Sequence, residues 1–61
     1  MTLREQEVLV HLAAGGTNWE IGEALFISPK TVSVHMSNLM SKLGVTNRNA
    51  AAVRARGLGL T

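Results

Sequence analysis

The sequence predicts an all-α domain of four short helices, and three observations carry that prediction. Helix-start signals stand at Thr2, Thr17, Ser28 and the pair Thr46-Asn47, residues whose side-chain oxygens can accept from the free N–H groups of a first helical turn. Glycines follow three of the four segments that these signals open, at Gly15-Gly16, Gly44 and Gly57. Within the segments, apolar residues recur on one stripe at about 3.6 residues per turn.

Thr2 and Glu5 form a capping box, in which the threonine hydroxyl takes an N–H of the first turn and the glutamate reaches back to the cap. A first helix is therefore expected over about 3–14. Val8, Leu9, Leu12 and Ala13 make its narrow apolar stripe, and Glu5 and Glu7 lie near the positive end of its dipole. Thr17 and Glu20 repeat the box, which places a second helix over about 18–25 with Ile21, Ala24 and Leu25 facing inward. Phe26-Ile27 is too short for a free linker, so the second and third helices should meet at a steep angle as a rigid pair.

The third helix opens at Ser28-Pro29, with proline pre-set for the first helical position, and runs over about 29–43. Val32, His35, Met36, Leu39 and Leu43 fall on its packing stripe, and Lys30, Ser33, Val34, Ser37 and Ser41 fall on the opposite face. Thr46-Asn47 then caps a fourth helix over about 48–56. The alanines of that helix admit two readings. They fill the core beside Leu58 and Leu60, or Ala51, Ala52 and Ala55 let a second subunit approach closely.

Sixty-one residues make one domain, over 1–61, near the lower size limit for a chain held by its core alone. The chain has no cysteine, which excludes disulfides and thiolate zinc sites, and His11 and His35 have no carboxylate cluster beside them, so no metal or other cofactor is expected. No apolar run approaches the roughly 18 residues of a membrane span, and the basic-then-apolar pattern of a signal peptide is lacking, so a cytoplasmic protein is expected. Catalytic residues are not expected either. There is no nucleophile beside a base, no glycine-rich phosphate loop and no paired carboxylates on a facing surface.

Charge is distributed unevenly behind the net +2. All four acids, Glu5, Glu7, Glu20 and Glu23, lie in the first 23 residues, where Arg4 is the only base. From residue 24 onward the chain carries Lys30, Lys42, Arg48, Arg54 and Arg56 and no acid, which makes that half the side a polyanion would meet. The second and third helices together have the wiring of a helix-turn-helix DNA reader. An α-helix fits the major groove, and the N-terminal half of the third helix offers Lys30, Ser33, Val34 and Ser37. Lysine reaches phosphate or guanine, serine bonds to several bases without strong preference, and valine meets a thymine methyl group. The free N–H groups at Ser28 to Thr31 can hold a phosphate directly, which sets position and not sequence.

Four blocks carry a resemblance to a known family: Thr2-Leu3-Arg4-Glu5-Gln6-Glu7-Val8-Leu9, Gly16-Thr17-Asn18-Trp19-Glu20-Ile21, Ile27-Ser28-Pro29-Lys30-Thr31-Val32-Ser33-Val34-His35 and Lys42-Leu43-Gly44-Val45-Thr46-Asn47-Arg48. In this order and spacing they resemble the C-terminal helix-turn-helix DNA-binding domain of the LuxR/FixJ (GerE-type) bacterial transcription regulators, over nearly the whole chain. The resemblance implies double-stranded DNA as partner, with the third helix in the major groove. It also implies a homodimer on a short inverted repeat, joined through the fourth helix, with an N-terminal regulatory domain in the full-length protein and no small-molecule ligand in this domain. The implied DNA-facing set is Thr17, Asn18, Ser28, Lys30, Thr31, Ser33, Val34, Ser37, Asn38, Lys42 and Arg48.

The chain departs from the family pattern at four positions. Trp19 stands where a basic residue is common, Ser33 and Ser37 where lysines are frequent, and Gly22 where alanine is usual. Gly22 should cost the second helix about 1 kcal/mol of propensity. With up to three fewer cations per subunit, affinity should be modest and anchored by Lys30, Lys42 and Arg48, with fewer than about five phosphates neutralised per subunit.

Other readings of single residues stay open beside this one. His35 reads as a structural hydrogen-bonder at the edge of the packed stripe, and Met36 and Met40 as packing. Trp19 either covers the core edge or stacks on a DNA sugar or a partner domain. Lys42 is a solvated lysine or a phosphate contact. Arg54 and Arg56 suit the last turn of the fourth helix with or without DNA. Region 4 of a sigma factor shares the helix-turn-helix and a Thr-Val like Thr31-Val32, but His35 after Val34 and the Lys42-Leu43-Gly44 ending favour the LuxR type. A helical protein-interaction module that has lost DNA binding would fit Ser33, Ser37 and an exposed Trp19.

Overall fold

Side-chain caps start every helix of the computed structural model, which describes residues 2–59. The order is α1 (Leu3–Ala13), α2 (Asn18–Leu25), α3 (Pro29–Leu43) and α4 (Arg48–Gly57). Both predicted capping boxes form. Thr2 Oγ1 accepts from the Glu5 amide at 3.2 Å while Glu5 Oε1 accepts from the Thr2 amide at 2.9 Å, and Thr17 and Glu20 repeat both distances. Ser28 Oγ and Asn47 Oδ1 cap α3 and α4 by accepting from Thr31 and Ala50.

The helices end where the chain adopts left-handed backbone. Gly15 (φ 93°) follows α1 and Gly44 (φ 71°) closes α3. The amide of Val45 donates back to Met40 at 3.0 Å, which satisfies a carbonyl that the last turn leaves free. Helix α1 stops at Ala13, with Ala14 as its cap, one residue short of the expected end.

Leu9, Ile21, Leu39, Val8 and Val32 are the largest fully buried side chains, and Leu12, Ala13, Met36, Ala51 and Ala55 complete the core. Helix α1 packs against both α3 and α4, and α2 packs against α3. The stripe read for α3 faces inward as expected: Val32, Met36 and Leu39 are buried, and His35 and Leu43 are half-buried. Met40 packs at the core's edge. No described helix is long and apolar enough to cross a membrane.

Three expectations about packing need correction. Ala24 faces solvent, and Gly22 takes the buried place on α2. A Cβ at Gly22 would lie 2.6 Å from the Ile27 carbonyl oxygen and 3.4 Å from the Pro29 nitrogen. The missing side chain thus lets α2 meet the turn that leads into α3, and helix propensity was the wrong measure of this glycine. Leu58 is exposed rather than packed beside the alanines, as the cap just beyond α4, which ends at Gly57. Leu60, assigned to the same place, lies outside the described residues.

The α2–α3 turn holds a feature that composition did not announce. Phe26 closes α2 with φ 59° and ψ 41°, the left-handed conformation, and is the one non-glycine residue with positive φ among those described. A β-carbon there costs about 1 kcal/mol relative to glycine. The Phe26 amide and the Ile27 amide, at 2.9 Å for the latter, both donate to the Gly22 carbonyl.

Gly22→Ala tests the turn. Propensity alone favours alanine by about 1 kcal/mol, but the clash is with backbone, which cannot swing aside. The substitution is expected to lower stability by about 1–2 kcal/mol in urea denaturation at unchanged m value.

Candidate nucleic-acid interface

The outward face of α3 is small, polar and free of acid. Lys30, Ser33, Val34, Ser37, Asn38 and Ser41 are all exposed along it, and Val34 is 55% exposed although apolar. Their spacing at about 100° per residue places them opposite the buried Val32, Met36 and Leu39. No long side chain other than Lys30 stands on this face, so the helix backbone can approach a flat or grooved partner closely.

At the start of α3 the free amides are fewer than expected. Pro29 has no N–H, and the Thr31 amide donates to Ser28 Oγ at 3.1 Å. This leaves the amides of Ser28 and Lys30 for an anion. The Ser28 and Thr31 hydroxyls share a hydrogen bond of 2.9 Å, which presets both at the positive end of the helix dipole.

Most of the basic side chains are already engaged within the fold. Lys42 Nζ donates to Glu5 Oε1 at 2.8 Å, which ties the end of α3 to the start of α1. Glu5 is almost wholly buried, and its other oxygen has no partner among the described residues. The Lys42 ammonium, followed by the Thr2 amide and hydroxyl, holds the Glu5 carboxyl down from the ordinary 4.5 to about 2. Lys42, expected as a phosphate anchor, thus spends one of its three N–H donors on a buried carboxylate, while its side chain stays about half exposed. It stands on the flank of α3 nearest His35, away from the stripe of Lys30, Val34 and Ser41.

Arg48 is likewise a structural group. Its guanidinium donates to Asn18 Oδ1 and to the Gly16 carbonyl, each at 2.6 Å, and so joins the start of α4 to the α1–α2 loop. Asn18 is thereby held as its partner, and Thr17 as the cap of α2. Arg4 donates to the Leu25 carbonyl at 3.4 Å, Arg54 to Leu43 at 3.3 Å and Arg56 to Ala13 at 3.1 Å. Those three carbonyls are the last of α2, α3 and α1, where cations are favoured. Arg54 and Arg56 stand in the last turn of α4 as expected, and their guanidiniums also serve the ends of α3 and α1, a pairing that no local pattern shows. Lys30 is the one cation whose side chain has no polar partner among the described residues.

The alanines of α4 resolve toward the core. Ala51 and Ala55 are fully buried against this chain's own side chains, so neither methyl is free for a second subunit. Ala52 is partly buried and lines a shallow cleft of about 190 Å³ with Leu12, Gly15, Gly16, Arg48, Asn49 and Arg56. Small-molecule pockets commonly start near 300 Å³. The exposed side of α4 opposite Ala51 and Ala55 carries Val53, which local sequence reading passed over.

Comparison with known proteins points in one direction. The family model described as bacterial regulatory proteins, luxR family, matches residues 1–55. The transcriptional regulatory protein LiaR of Bacillus subtilis (strain 168) is 54% identical over 55 residues, which are 90% of this chain and 26% of LiaR. The transcriptional activator protein SolR of Ralstonia solanacearum is 45% identical over 60 residues, 98% of this chain and 25% of SolR. The spore germination protein GerE of Bacillus subtilis (strain 168) is 48% identical over 59 residues, 97% of this chain and 80% of GerE. The chain thus spans about a quarter of LiaR and of SolR but four fifths of GerE.

The Glu5–Lys42 contact makes stability depend on acid. Because the folded carboxyl titrates below its unfolded value, its contribution is complete above about pH 4.5 and is lost as pH falls toward about 2. Glu20, held down by the Thr17 amide and hydroxyl, acts in the same direction. Melting temperatures recorded from pH 2 to 6 should fall with acid in the native chain. Glu5→Gln should melt lower at pH 6 and show a flatter profile, and parallel profiles would remove the contact from the account of stability.

Proposed function

The chain belongs to the luxR family of bacterial regulatory proteins, and on that premise we propose that it binds double-stranded DNA with α3 seated in the major groove. The observation that carries this reading is the outward face of α3, exposed, acid-free and small. It bears Lys30 as the uncommitted cation and Val34 as an apolar contact. In this pose Lys30 and the amides of Ser28 and Lys30 hold phosphates, while Ser33, Val34, Ser37 and Asn38 lie toward base edges. Thr17, Thr31 and Asn18 stand at helix starts, where a phosphate is favoured, with Asn18 held by Arg48.

A dimer on an inverted repeat extends the proposal. Ala51 and Ala55 are unavailable, so the surface of α4 that would meet a second copy is centred on Val53, with Asn49 and Arg56 beside it. The share of LiaR and SolR that the chain leaves unmatched supports a further part of the proposal, a regulatory domain that controls binding in a longer cytoplasmic protein.

Fluorescence anisotropy with duplex DNA at several salt concentrations tests the reading. Binding should weaken with salt at a slope corresponding to fewer than about five phosphates per subunit, since each contributes roughly −0.9. Lys30→Ala should weaken all sequences about equally, and Val34→Ala should alter preference among sequences selected from a random pool. An unchanged preference in Val34→Ala would mean that α3 is not docked in this way. No binding at low salt would leave the fold as a protein-interaction module.

A further inference from the structure

Trp19 is the largest side chain of α2, and folding makes little use of it. It is 65% exposed, so the core edge does not claim it and its indole is left for something outside the chain. Periodicity within α2 fixes the side on which it stands. Gly22, three positions on, is its neighbour on the helix surface at about 4.5 Å along the axis. Gly22 in turn abuts the backbone of Ile27, Ser28 and Pro29, so this flank of α2 borders the start of α3. The ring thus stands one turn back from the place where the two helices meet.

The groups around Trp19 divide this surface by charge. On its N-terminal side, Thr17 engages the amides of Glu20 and Ile21, which leaves those of Asn18 and Trp19 free at the positive end of the dipole. Asn18 Oδ1 accepts from Arg48 at 2.6 Å, so its NH2 group remains as a donor beside a guanidinium. These groups suit a phosphate. On the C-terminal side, Glu23 is exposed one turn along the same side of the helix, and its carboxylate repels one. Glu20 is exposed too, but its carboxylate is turned back to the Thr17 amide at 2.9 Å. Lys30, at the start of α3, is the uncommitted cation of this edge and holds its own phosphate in the proposed pose. Between a place that favours phosphate and one that rejects it stands a flat, uncharged ring. The sugar next to a phosphate along a strand fits there, since it is uncharged and its C–H faces are apolar.

We propose that the Trp19 indole packs on a deoxyribose of the DNA backbone, next to the phosphate held at the start of α2. The inference rests on the DNA-binding reading of α3 and adds to it a contact that neutralises no phosphate. Affinity gained in this way is not screened by salt. The contact sets position and reads no base.

Trp19 is the only tryptophan, so its emission reports on the contact directly. Random duplex DNA at low salt should protect Trp19 from quenching by acrylamide, with the midpoint that anisotropy of the labelled duplex gives. Trp19→Ala should melt no lower than the native chain, yet bind the duplex about fivefold more weakly at an unchanged salt slope. Trp19→Phe, which keeps an aromatic face, should lose only about twofold. Trp19→Lys should steepen the slope by about one phosphate, because its ammonium would stand at the backbone. Native affinity in Trp19→Ala, or an unaltered slope in Trp19→Lys, would overturn the inference, while salt-dependent binding by the native chain would keep the reading of α3. Absence of binding by the native chain would remove both. Protection of Trp19 on raising the protein's own concentration without DNA would also overturn the inference, by assigning the ring to a second copy.

Discussion

Four short helices leave a large share of their peptide groups at ends, and the arginines of this chain are placed to answer that constraint. A helix of eight to fifteen residues has four carbonyls with no partner of its own, and a core of ten small to medium side chains cannot shelter them. Arg4, Arg54 and Arg56 each reach the last carbonyl of a different helix, and Arg48 reaches the loop after α1. These contacts cross-link the helices at the negative ends of their dipoles. They also account for most of the positive charge that composition alone would assign to a polyanion.

Helix α3 is held from three directions, which sets its outward face relative to the rest of the chain. Its buried stripe packs on α1, its start is locked to α2 through the close approach at Gly22, and its end is tied by Lys42 to Glu5 and by Leu43 to Arg54. A reading helix gains precision when its supports are rigid and its own face is left unencumbered. Lys30, Ser33, Val34 and Ser37 stand on such a face. The Glu5 contact serves the same end at a cost, because a buried carboxylate with one oxygen unpartnered among the described residues is kept charged by Lys42 and the Thr2 amide and hydroxyl.

Much of the fold was legible from local chemistry. The four caps, the left-handed glycines after α1 and α3, and the inward stripe of α3 each follow from a few neighbouring residues and appear where expected. The candidate site was legible in part. The exposed face of α3 follows from periodicity, but the roles of Lys42 and Arg48 do not, since their partners lie 37 and 30 or more positions away. Ala51 and Ala55 were ambiguous for the same reason: small residues permit close approach without saying whose backbone approaches.

The sequence by itself determined the number of helices, their starts and which side of α3 is apolar, because capping and 3.6-residue periodicity act within a turn or two. Tertiary structure alone decided which charges remain available, where Gly22 is needed and that Phe26 stands in strained backbone with its ring in solvent. Each of these depends on what a distant segment brings within a few ångströms. A guanidinium has the same local signature whether it meets a phosphate or the end of another helix, and only the packed chain distinguishes the two.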